Sequence, residues 1–106
     1  LEQAATKGEP WLFLASFFAP HAPFLADPRD KDRFKGLNLS LGKSFNAVSD
    51  NQPDHLKRRS LRDFDKMLTA KRMMMESSYS MDRQIGRMLD VLESTNQLAN
   101  TIIIYL

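Results

Sequence analysis

The chain alternates between three stretches of dense apolar character and one long polar excursion. Residues 11–18, WLFLASFF, form a nearly unbroken apolar run with no alternation. Such a run predicts a strand covered on both faces. Residues 25–62 have no sustained period and are punctuated by Pro28, Gly36, Gly42 and Pro53, which predicts a long structured loop over 19–62 with at most a short helical turn. From about Asp63 the pattern changes. Phe64, Met67, Leu68, Met74, Met75, Met81, Ile85, Met88, Leu89 and Leu92 recur at three- and four-residue steps, which predicts one amphipathic helix over about 63–94 with Asp63 or Ser60 as its cap. The run TIIIYL, 101–106, is β-branched and apolar and predicts a second buried strand. Residues 1–9 read as a helix tail or loop stopped by Gly8 and Pro10.

The order strand, long loop, long helix, strand implies an α/β class with the two strands parallel, since a helical crossover between strands of one sheet joins them that way. One helix covers one face of such a pair. The other face has no cover among these residues, so the chain reads as part of a larger domain. It begins at Leu1 rather than Met, in keeping with a piece of a longer protein.

Composition narrows the function classes. With 106 residues, 42% hydrophobic and 26% charged, the chain is ordinary globular material for one small domain at most. A net charge of +2 gives no argument for nucleic acid. The absence of cysteine rules out disulfides and thiolate metal sites here. No apolar run approaches the roughly 20 residues of a membrane span.

The candidate chemistry centres on His21. It stands just past the first apolar run, between Pro20 and Pro23. Ligands of open parallel sheets bind beyond the carboxyl ends of strands, and flanking prolines restrict the backbone that carries the imidazole. A histidine so placed can hydrogen-bond an anionic substrate or protonate a leaving group. The plainer alternative is a loop histidine bonded to a nearby carbonyl. His55 with Lys57, Arg58, Arg59 and Arg62 forms the densest basic patch, either a solvated loop face or a contact for an anionic polysaccharide. Asp82 reads as a supporting or capping carboxylate, not a metal ligand, and Met73, Met74 and Met75 read as helix packing. Asn38-Leu39-Ser40 is an N-glycosylation sequon that fits a secretory history.

Taken together, PWLFLASFFAPHAPF and RMMMESSYSMDRQIGRMLDVLESTNQLANTIIIYL resemble the sulfatase family, with the N-acetylglucosamine-6-sulfatase and heparan-type enzymes nearest in look. The resemblance is carried by a P-H-x-P motif, Pro20-His21-Ala22-Pro23. Downstream lie a D-x-x-[IV]-G-x-[ML]-L-x-x-L helix pattern from Asp82 to Leu92, and Asn100-Thr101 leading into an apolar run.

This resemblance implies a fragment of an alkaline-phosphatase-like catalytic domain over 1–106. It also implies hydrolysis of sulfate esters, with a sulfated sugar or polysaccharide as substrate. His21 matches the family histidine that binds the substrate sulfate and helps protonate the leaving oxygen, so it is both the catalytic and the substrate-binding candidate. The family also implies calcium, a formylglycine nucleophile, and a secreted, lysosomal or periplasmic location. The C/S-x-P-S-R nucleophile motif, the paired amino-terminal aspartates and the D-N-G motif do not occur in this sequence. The 106 residues alone are therefore expected to be inactive and to supply no metal ligand. Two other readings stay open: a phosphate or phosphonate ester hydrolase of the same superfamily, and a non-catalytic segment that binds partners through its Met-rich helix.

Overall fold

The computed structural model describes Gln3, Lys7 and residues 9–106. The helix tail or loop expected over residues 1–9 lies mostly outside the described residues. Three helical elements follow: α1, Asp54–Lys57; α2, Phe64–Ser94; and a single 3-10 turn, Leu98–Asn100.

Helix α2 dominates the molecule, with 31 residues and locally determined ends. At its start Asp63 takes an extended backbone and its carboxylate accepts from the Lys66 amide at 2.9 Å, satisfying one of the unpaired amino-terminal donors. At its end Asn96 adopts φ 57°. The Gln97 amide then reaches back to the Leu92 carbonyl at 2.8 Å, and the Asn96 amide to the Glu93 carbonyl at 2.9 Å. These are the two bonds of a Schellman termination, and asparagine tolerates the left-handed backbone it requires.

The two halves of α2 pack against different things. Met81, Ile85, Met88, Leu89 and Leu92 fall on one stripe and line a cleft of about 500 Å³. Residues of the 11–20 segment and of 101–106 line the same cleft. The preceding turns bury a polar stripe instead: Glu76, Ser77 and Ser80 are buried, with the irregular segment 25–34 tied to this part of the helix. The loop is pinned further along by an edge contact between Phe45 and Phe64, 6.0 Å between ring centres. It is also pinned by a reciprocal pair in which the Asn46 side chain donates to the Arg62 carbonyl at 2.8 Å and accepts from the Arg62 amide at 2.9 Å.

The α/β class with parallel strands is overturned. Among the described residues there is no strand: residues 11–18 and 101–106 are neither helical nor paired. No backbone hydrogen bond joins them. An apolar or β-branched run favours extended backbone, but a strand exists only through a ladder, with its partner about 4.8 Å away. Here the two segments line one cleft without a backbone ladder between them. Their expected burial fails with the pairing, since Leu12 is 97% exposed and Ile102 90%.

The shape agrees with that exposure. The radius of gyration is 20.2 Å, against about 13 Å for a compact domain of this length. The accessible surface is 8993 Å², against about 6,100 Å² for a compact monomer of the same mass. Covering apolar surface is worth roughly 2.5 kcal/mol per 100 Å², so these segments leave apolar surface that the described residues do not cover. Expressed alone, residues 1–106 are expected to self-associate and to melt without a sharp transition. Sedimentation velocity and thermal circular dichroism check this, and a monomer with a cooperative melt contradicts it.

Candidate functional site

His21 lies at the end of the first apolar segment, where the chain turns. Its amide donates to the Phe18 carbonyl at 2.9 Å, and its own carbonyl accepts from the Phe24 amide at 3.0 Å. Two successive turns therefore meet at this residue. Pro20 and Pro23, each preceded by a cis peptide bond, stand on either side.

The imidazole is exposed, with the Phe18 ring tilted against it at 5.0 Å between centres. Nδ1 lies 2.8 Å from the Ala22 carbonyl oxygen. A carbonyl can only accept, so Nδ1 carries the proton of this bond. The bland expectation, a histidine bonded to a nearby carbonyl, thus describes one ring nitrogen. Nε2 has no hydrogen-bond partner among the described residues and is the ring nitrogen left for a further bond. In the neutral ring it accepts, and in the imidazolium it donates.

Immediately after this turn the chain is fastened to α2. The Ser77 hydroxyl donates to the Leu25 carbonyl at 3.1 Å. The Ser80 hydroxyl accepts from the Asp27 amide at 2.9 Å and donates to Asp30 Oδ2 at 2.8 Å. Arg83 reaches the same Asp30 oxygen through Nη2 at 2.7 Å and Nε at 3.2 Å, and Nη2 also lies 3.1 Å from Asp27 Oδ2. Asp27 in turn holds Arg29 through both carboxylate oxygens, at 3.0 and 2.8 Å. Asp30 is the most deeply placed charge, 3% exposed.

The electrostatics follow from these contacts. The Arg29 side chain and amide, with Arg83 behind them, hold the Asp27 carboxyl far below the usual carboxylate range. Hydrogen bonds from Arg83, then from Ser80, hold Asp30 below its ordinary value against the opposing effect of its burial. Further along, the Arg33 guanidinium lies 3.8 Å above the Tyr79 ring, which Phe34 meets edge-on, and Arg72 Nε donates to the Phe34 carbonyl at 3.1 Å. Lys71 Nζ donates to the Ser40 carbonyl at 2.7 Å.

The other candidates stand apart from this cluster. His55, Lys57, Arg58, Arg59 and Arg62 are all exposed, on and after α1. Asp82 is exposed on α2. Met73 and Met74 are exposed and Met75 is partly covered, so only part of that trio packs. Asn38 of the sequon is exposed.

Among the described residues no three of His, Asp and Glu converge as a metal cage. The carboxylates of Asp27 and Asp30, which share Arg83, are already paired with Arg29 and Arg83. A calcium ion takes six to eight oxygens, so the residues present do not fit one.

Both carboxylates have lowered pKa values in the folded chain. The stability they contribute is therefore fully present above the ordinary carboxylate value of 3.8 and is lost as pH falls through the lower folded values. Amide protection of Asp27, Arg29 and Asp30, corrected for intrinsic exchange, is expected to stay constant from about pH 7 to pH 5 and to collapse only in stronger acid. Loss of protection near pH 6 contradicts this assignment.

Comparison with known proteins gives one result. The family model described as Sulfatase matches residues 1–106. No curated protein and no solved structure matches the chain.

Proposed function

This chain belongs to the sulfatase family, and on that membership we propose that it supplies His21 to the hydrolysis of a sulfate ester as sulfate contact and proton donor. The observation that carries this reading is the ring itself. His21 is exposed on a doubly hydrogen-bonded turn, with Nδ1 occupied by the Ala22 carbonyl and Nε2 without a hydrogen-bond partner among the described residues.

Breaking the bond between sulfur and the ester oxygen leaves an electron pair on that oxygen, which must gain a proton unless the alcohol is strongly acidic. An imidazolium at Nε2 first donates a hydrogen bond to the sulfate group. It then passes its proton to the departing oxygen and is left neutral. Nδ1 stays bonded to the Ala22 carbonyl throughout, so the ring need not turn between the two states. The family's formylglycine would supply the nucleophile and its calcium would balance charge on the sulfate. The chain has no cysteine and no C/S-x-P-S-R motif, and its described carboxylates form no cation site. The reading therefore assigns these residues no part in either step.

The substrate is a sulfated sugar, in line with the resemblance to glycosaminoglycan sulfatases, and the location is secreted, lysosomal or periplasmic. The exposed Asn38 sequon supports a secretory route.

In the complete enzyme His21→Ala is expected to lower kcat/KM for a sugar sulfate by about 10²-fold or more. Steady-state kinetics on a variant with an unchanged melting curve test this, and an unaltered kcat/KM refutes the assignment.

The basic patch extends the reading to polymers. Arg58 and Arg59 are exposed, so each can meet a polyanion without leaving a buried partner. Replacing both with Ser is expected to raise KM for a sulfated polysaccharide at low salt while leaving a small aryl sulfate unaffected. Salt at about 0.1 M, with a screening length of ~10 Å, should narrow the difference. Equal effects on both substrates count against a recruiting role.

A further inference from the structure

The polar stripe of α2 has a use beyond holding a loop. We propose that Arg83, Ser80 and Asp30 are positioning residues for His21, fixing the imidazole by fastening the chain just downstream of it. The proposal rests on the reading of His21 as proton donor and deepens it.

Ser77, Ser80 and Arg83 follow at three-residue steps and so share one face of α2. All three hydrogen-bond the segment Leu25–Asp30, and none of them hydrogen-bonds residues 11–18. The first tie, at Leu25, comes four residues after His21. The intervening chain has little slack: Pro23 is fixed in φ, and the bond from the Phe24 amide to the His21 carbonyl closes the turn.

Phe24 itself sits at φ 55°. A bulky residue holds that left-handed backbone only where its surroundings determine it, and the ties begin at the next residue. Upstream of His21 the situation is reversed. Among the described residues no hydrogen bond joins 11–18 to the helix, and Leu12, Leu14 and Phe18 are exposed. The hydrogen bonds that set where His21 stands relative to α2 therefore come from its carboxyl side.

The chemistry suits a positioning role. A hydroxyl that both accepts from Asp27 and donates to Asp30 fixes two points of the segment at once. A guanidinium fork with two donors on one carboxylate oxygen adds direction to the contact, which a lysine ammonium does not reproduce.

The test uses the complete sulfatase with Asp30→Asn, Arg83→Lys and the milder Ser80→Ala. Each is made alone and in a His21→Ala background. Turnover is read on a sugar or alkyl sulfate, whose leaving oxygen needs a proton, and on 4-nitrophenyl sulfate, whose leaving group does not. Misplacing an acid group by about 1 Å can cost up to 10²-fold. The expected result is a kcat loss of about 10-fold or more on the alkyl substrate and a much smaller kcat loss on the aryl substrate, while any KM rise from the displaced sulfate contact is shared by both. In the His21→Ala background the same substitutions should add little further loss. Ser80→Ala leaves the ion pairs in place, so it reports even where Asp30→Asn does not fold.

Equal kcat losses on both substrates, or losses that multiply with that of His21→Ala, overturn the positioning role and leave the function intact. His21→Ala without effect on either substrate overturns the functional reading and this proposal together. Retention of full alkyl-sulfate turnover by Ser80→Ala and Arg83→Lys overturns the positioning role alone.

Discussion

A buried ion pair organises the described part of the molecule. Asp30 is nearly inaccessible, yet it is charged, and such a group is tolerable only when its partners are in place. Arg83 and Ser80 supply them from α2, and Asp27 joins them from the same segment. Because the carboxylate cannot be left unpaired, the loop that carries it has few places to go. The left-handed Phe24 and the turn at His21 follow on the amino side, and the packing of Phe34 and Arg33 around Tyr79 follows on the carboxyl side. Removing one partner costs more than the pair itself gains, since the other charge would remain buried. Such a contact specifies an arrangement more than it stabilises one.

The helix was legible because its signals are local. Apolar steps of three and four residues set its face, and Asp63 sits where a cap belongs. Asn96 was an equally local stop signal that the apolar period alone did not expose. The strands were misread for the opposite reason. Composition at 11–18 and 101–106 speaks for burial and extension, but pairing depends on a partner that composition does not name. The structure shows two unpaired segments lining a cleft.

The site divides along the same line. His21 stood out in the sequence because two prolines and an apolar run marked it. The Asp27, Asp30, Ser80 and Arg83 cluster is not legible in the sequence, because its two halves lie 50 or more residues apart and each residue alone looks like an ordinary solvated side chain. One signal was available. Ser77, Ser80 and Arg83 interrupt the apolar pattern of α2 on one face, and a polar stripe inside a long amphipathic helix invites the question of what it holds.

That interruption also accounts for how α2 serves two kinds of contact. Apolar contact is non-directional and roughly proportional to area, so Met81, Ile85, Met88 and Leu92 can line a cleft without dictating how its contents sit. Hydrogen bonds and ion pairs have narrow geometry, so Ser77, Ser80 and Arg83 fix a backbone at defined points. The helix places the directional set beside the turn that bears His21 and leaves the non-directional set for the uncovered segments 11–18 and 101–106. The turn that bears His21 is held by the directional kind of contact, which fixes backbone position in a way that apolar contact alone does not. The polar stripe is therefore where α2 fixes the segment that follows His21, while its apolar stripe lines the cleft shared with residues 11–20 and 101–106.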